Sequence, residues 1–168
     1  VDKQSIIPWG YTRISREGDW RFADTVAFDH LQGQVKGVKG QFTMPRYTQD
    51  VMSAYYYARC LDLRNAKPGT VFSIPTFLDD KVYNLGLTVI GREVLDTPIG
   101  KMRTIKIIPK LIDGKVFTGD DKQMQIWVSD DDNLIPVHVE SPVIIGSIKC
   151  ELLKYKNTRH PLTALVKK

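Results

Sequence analysis

A chain of 168 residues, 42% apolar and 26% charged with a net charge of +5, is long enough to bury a core and too ordinary in composition to be disordered. No run approaches the roughly 18 apolar residues of a membrane-spanning helix, which excludes that route across a bilayer. The two cysteines, Cys60 and Cys150, form no CxxC, which excludes a disulfide scaffold and a thiolate zinc site.

The basic residues are scattered, gathering only towards Lys154, Lys156, Arg159, Lys167 and Lys168. This describes a solubilising surface, weakly adhesive to anionic lipid or polymer, and implies no nucleic-acid partner. The sequence opens at Val1, so the expectation is a removed initiator or leader, or a portion of a longer chain.

In chain order, Trp20 to Phe42 alternates and is broken by Gly33, Gly37 and Gly40, which predicts short strands around a turn near His30 to Gly33. Its GQVKGVKG fits neither phosphate-loop spacing, and no helix follows it. The one helix is expected over Thr48 to Leu63, with Thr48 as its N-cap. Val51, Ala54, Tyr55, Ala58 and Leu61 make one apolar stripe, and Met52, Tyr56, Cys60 and Leu63 a second. So wide a surface calls for cover on more than one side, by a curved sheet or a ligand cavity.

After the turn Lys67 to Thr70 the chain reads as strands at Val71 to Leu78, Val82 to Asp96, Lys101 to Ile112, Gln123 to Ser129, Leu134 to Glu140 and Val143 to Tyr155. Aspartate-bearing turns separate most of them, as in an antiparallel meander. Gly91 interrupts the apolar register and predicts a bulge. Cys150 shares strand parity with Ile144, Ile148 and Leu152, so it is expected to face the core. Cys60 and Cys150 then read as two inert buried thiols, or as a bridge in an oxidising compartment. Together these elements predict a mainly β (α+β) fold in one domain, a strongly curved antiparallel sheet or half-barrel around one helix.

The most unusual stretch is SDDDN, Ser129 to Asn133. Read as a four-residue hairpin loop, Asp130 to Asn133 sets Val128 against Ile135, Ile126 against Val137 and Met124 against Val139, with Trp127 facing Pro136 outside. The EF-hand alternative fails, because the fifth ligand position falls on Leu134 or Ile135. There is no HExxH and no GxSxG, and His30, His138 and His160 are not spaced as partners. No metal or cofactor is implied.

Several segments carry a family resemblance: WVSDDDNLIPVHVESPVIIGSIKCELLKY, VMSAYYYARCLDLRNAKPGTVFSIPTF, VIGREVLDTPIGKMRTIKIIP and, upstream, IPWGYTRISREGDWRFADTVAFD. Over nearly all its length the chain resembles the exported bacterial family called domain of unknown function 3108. The resemblance implies a periplasmic or outer-membrane-associated location and further strands N-terminal to Val1. The sequence contains no lipobox cysteine, so it supplies no basis for a lipid anchor.

Three functional readings follow. A non-enzymatic envelope protein, shaped by analogy like carriers of hydrophobic cargo, would bind a hydrophobic or lipid-like ligand through Met52, Tyr55, Tyr56, Ile105, Ile107 and Ile126. An assembly module would meet an envelope protein through Trp127, Pro136 and His138. A hydrolase would use carboxylates such as Asp130 to Asp132.

Overall fold

The computed structural model describes residues 6–111, 123–143 and 146–166. The fold is mainly β, with two antiparallel sheets, one helix and no closed barrel among the described residues. Two sheets thus stand where the turn pattern suggested one. The chain divides into two compact units, Val1–Cys60 with Ile74–Asn84, and Leu61–Ser73 with Leu85–Lys168.

In the first unit, β1 (Gly10–Glu17), β2 (Trp20–Asp29), β3 (Gln34–Gly37) and β4 (Gly40–Thr43) form a four-stranded sheet in that order. Alternation along β2 turns Asp24, Val26 and Phe28 inward, where Val26 and Phe28 pack with Val35, Met44 and Phe77. Arg13 stands opposite Asp24 across the β1–β2 pair, at 3.8 Å, and also donates to Asp79 at 3.1 Å. The stretch GQVKGVKG forms β3 and the turn into β4.

The helix α1 (Val51–Ala58) is half the expected length. Its cap is Asp50, whose carboxylate accepts from Met52 N (2.8 Å) and Ser53 N (3.0 Å) while Ser53 Oγ accepts from Asp50 N (2.9 Å). Thr48 and Gln49 are fully buried outside the helix, because Gln49 pairs as a strand: its N–H donates to Pro75 O (2.8 Å) and its carbonyl accepts from Phe77 N (2.7 Å). Backbone committed to that bridge is not free to start a helix.

The six-stranded sheet runs β10-β9-β8-β7-β6-β5. Its strands are β5 (Val71–Leu78), β6 (Lys81–Thr97), β7 (Gly100–Leu111), β8 (Gln125–Ser129), β9 (Pro136–Pro142) and β10 (Ser147–Glu151). Asp79 and Asp80 join β5 to β6 with positive φ of 48° and 60°, as a two-residue type I′ turn requires. The bulge expected at Gly91 is present, with the register shifting between Val89 and Gly91. The turns expected at Asp113 to Lys115 and Gly119 to Lys122 lie outside the described residues.

In the second unit Leu63, Val89, Ile105, Ile107, Ile126 and Val128 form the main core with Leu134. A smaller cluster joins Met102, Val137 and Ala164. Cys150 does not face a core. All of β10 is exposed because it is the last strand of the sheet, and both cysteines are free and exposed.

Candidate functional site

The loop after β8 is longer than a four-residue hairpin. Leu134 adopts a φ of 47° and turns into the core at 5% exposure, while Ser129 N donates to Ile135 O (2.8 Å). Ile126 therefore pairs with Val139 rather than Val137, Trp127 with His138, and Val128 with Pro136 after a bulge. Alternation alone makes Leu134 a strand residue, and its left-handed backbone is what displaces the expected register.

Within the loop, each aspartate has a structural partner. Asp130 lies 3.5 Å from Arg92 Nε, and Asp132 pairs with Arg64 Nη1. The Arg92 guanidinium also donates to the carbonyls of Leu63 (3.4 Å), Arg64 and Ala66 (3.3 Å), a use of its fork that ties the loop to the segment after the helix. Asp131 is 1% exposed: its Oδ1 accepts from Ser129 Oγ (2.8 Å) and Asn133 N (3.0 Å), and its Oδ2 from Ala164 N (3.2 Å). Asn133 binds the backbone of His160 with both ends of its amide and also reaches Pro161 O. Within the stretch SDDDN, Asp131 and Asn133 thus form a buried clasp on His160, Pro161 and Ala164.

One transverse row crosses the second sheet. Lys106, Trp127, His138 and Glu151 are cross-strand neighbours on β7, β8, β9 and β10. Lys106 Nζ lies 4.8 Å from the indole centroid, the His138 ring meets Trp127 edge-on at 5.0 Å, and His138 Nδ1 is 3.5 Å from Glu151. The indole N–H donates to Glu93 Oε1 at 2.6 Å. Trp127, expected on a polar exterior, is consequently only 7% exposed. Beside this row lies a cleft of about 190 Å³ lined by Leu95, Pro98, Trp127, Val137, His138 and Glu140 among others. That is smaller than the roughly 300–1,000 Å³ of small-molecule pockets, so it suits a single side chain better than an acyl chain. At its rim the Ser147 hydroxyl donates to Glu140 (3.0 Å) and lowers the pKa of that carboxyl, outweighing the desolvation that raises it, while Lys149 adds to the lowering.

The residues expected to line a ligand cavity fall into two groups. Ile105, Ile107 and Ile126 are no more than 4% exposed and belong to the closed core of the second unit. Met52, Tyr55 and Tyr56 lie on α1 in the first unit at 69%, 38% and 54% exposure, with Val51 at 50%; on that helix only Ala54 is buried. Pro136 is partly buried beside the clasp. Sequence reading missed Lys106, Glu93 and Glu151, because a transverse row becomes visible only once four strands are in register.

Among the described residues no group of three or more histidines, cysteines and carboxylates is placed to hold a metal ion, and no helix is long and apolar enough to cross a membrane. The family model described as Protein of unknown function (DUF3108) matches residues 1–153. The chain belongs to this family. The DUF3108 match takes in both sheets, α1, the clasp residues Asp131 and Asn133 and the Trp127 row, while the segment that the clasp holds lies beyond it. No curated protein and no solved structure matches the chain.

Proposed function

We propose that this DUF3108 protein is a non-enzymatic binding protein of the bacterial envelope that takes a hydrophobic or lipid-like ligand against the exposed face of α1. The observation that carries this reading is the helix itself. Val51, Met52, Tyr55 and Tyr56 stand at i, i+1, i+4 and i+5, so they form one continuous apolar and aromatic stripe, and each is at least 38% exposed. Tyrosine and methionine suit such a role, since one pairs an apolar ring with a polar tip and the other adapts its shape to a flexible chain. An envelope location is supported by the resemblance to an exported family. A non-enzymatic role is supported by the loop carboxylates, since Asp131 is buried under three donors and Asp130 and Asp132 are each paired with an arginine.

Because the stripe is solvent-exposed, removing it separates binding from folding. Tyr55→Ala combined with Tyr56→Ala is expected to shift stability by no more than about 1 kcal/mol. The same change should weaken a fluorescent long-chain acyl probe at least tenfold in direct titration. Unchanged probe affinity in the folded double variant would reject the helix face as the binding surface. A second reading, a module that docks an envelope protein, is favoured by the cleft beside Trp127 and His138, whose volume fits one inserted side chain.

A further inference from the structure

The start of β7 has an edge that β8 does not cover. β8 pairs with β7 over Thr104 to Ile107, and just past it Asp130 N donates to Arg103 O (3.0 Å) before the chain turns away. The rest of the edge, from Lys101 to the Arg103 N–H, is taken by residues 164–166: Arg103 N donates to Ala164 O (2.9 Å), Val166 N donates to Lys101 O (2.8 Å), and Met102 and Leu165 form an antiparallel bridge. Around this bridge the DUF3108 domain reads the segment almost wholly through its main chain. Asp131 accepts from Ala164 N, Arg103 Nη2 donates to Thr163 O (2.7 Å), and the Asn133 amide both donates to and accepts from His160 as a neighbouring strand would. Side-chain discrimination falls on one place. Ala164 is fully buried against Met102 and Val137, with Leu162 and Leu165 on its flanks.

Main-chain hydrogen bonds for affinity and a small pocket for selectivity are the features of strand addition to a sheet edge. Two further observations set the occupant apart from the groove. The groove residues lie within the family match, which ends at residue 153, and the segment 160–166 lies beyond it, although both belong to the same compact unit. The residues between them, 153–157, are exposed and carry no regular secondary structure. We infer that this groove is a strand-acceptor site for an extended peptide of a partner protein, with a small residue at the Ala164 position and apolar residues at those of Leu162 and Leu165, and that the chain's own segment occupies it in cis. This inference is independent of the ligand assigned to α1.

A short tether presents the cis segment at an effective concentration in the millimolar range, so a free peptide must compete with it. The test uses the whole chain carrying Ala164→Arg, in which the buried methyl site cannot accept the new side chain, and a synthetic peptide HPLTALV as the probe. Hydrogen exchange at the amides of residues 164 and 166 should rise, and fluorescence anisotropy should show saturable one-to-one binding of the peptide. Affinity for the unaltered chain should be at least tenfold weaker, and a peptide with arginine in place of the alanine should not bind the variant. A folded variant with a released segment that binds HPLTALV no better than the unaltered chain would overturn the inference, as would a segment that stays docked despite the arginine. If Ala164→Arg does not fold, Leu165→Asp, at a half-buried position, takes its place. Failure of both to fold would show the segment to be an inseparable part of the core and would equally overturn the proposal.

Discussion

Asp131 and Asp132 are adjacent and identical in type, yet one is 1% exposed beneath the donors of Ser129, Asn133 and Ala164, and the other has a side chain 63% exposed facing Arg64. Asp131→Ala leaves those donors without an acceptor in a dry site and is expected to cost about 2–3 kcal/mol in urea unfolding. Asp132→Ala removes only a surface ion pair and should stay within about 0.5 kcal/mol. Equal effects of the two substitutions would refute the clasp. Tyr11 gives a second residue-level expectation. Burial raises its phenol pKa, and the negative charge of Asp24 adds to that effect more than Arg13 offsets it. A folded pKa above the unfolded value means that the unfolded chain loses this proton first as the pH climbs. The contribution is therefore intact below about pH 10 and is lost as pH rises through the folded value. Tyrosinate absorbance should show a late-titrating component that Tyr11→Phe abolishes.

At the scale of elements, Gly10 in β1 is held by its neighbour strand. A Cβ there would meet the Val26 carbonyl oxygen at 2.7 Å, and because that atom is backbone it cannot swing aside. Gly10→Ala should cost about 1–3 kcal/mol, measured as a lower urea midpoint. A midpoint equal to that of the unaltered chain would show that β1 is not clamped against β2 at this point. Most strands were legible from alternation and turn chemistry, since side-chain parity and an aspartate pair such as Asp79-Asp80 are local signals. Val71–Leu78 was read to the residue, and the Gly91 bulge followed from one broken register. What was not legible depended on distant partners. Gln49 gave no sign that Pro75 and Phe77 would claim its backbone, so the helix was begun too early. Leu134 looked like a strand residue until its left-handed backbone placed it in the core. The Asp131 clasp was read as a local turn because its partner Ala164 is far along the chain.

Taken as a whole molecule, the protein belongs to the DUF3108 family and folds as two compact units, each with its own apolar cluster. The core isoleucines of the second unit are fully committed to packing, and the cleft beside Trp127 is smaller than an acyl-chain pocket. An apolar ligand, on this account, is met at the surface of α1. The most direct measurement is native mass spectrometry of the protein purified gently from envelope fractions, with organic extraction alongside. If α1 carries the ligand, the unaltered protein shows a stoichiometric hydrophobic adduct that is lost from the folded Tyr55→Ala, Tyr56→Ala variant. An unliganded mass for the unaltered protein, or an adduct that survives in the variant, would contradict it.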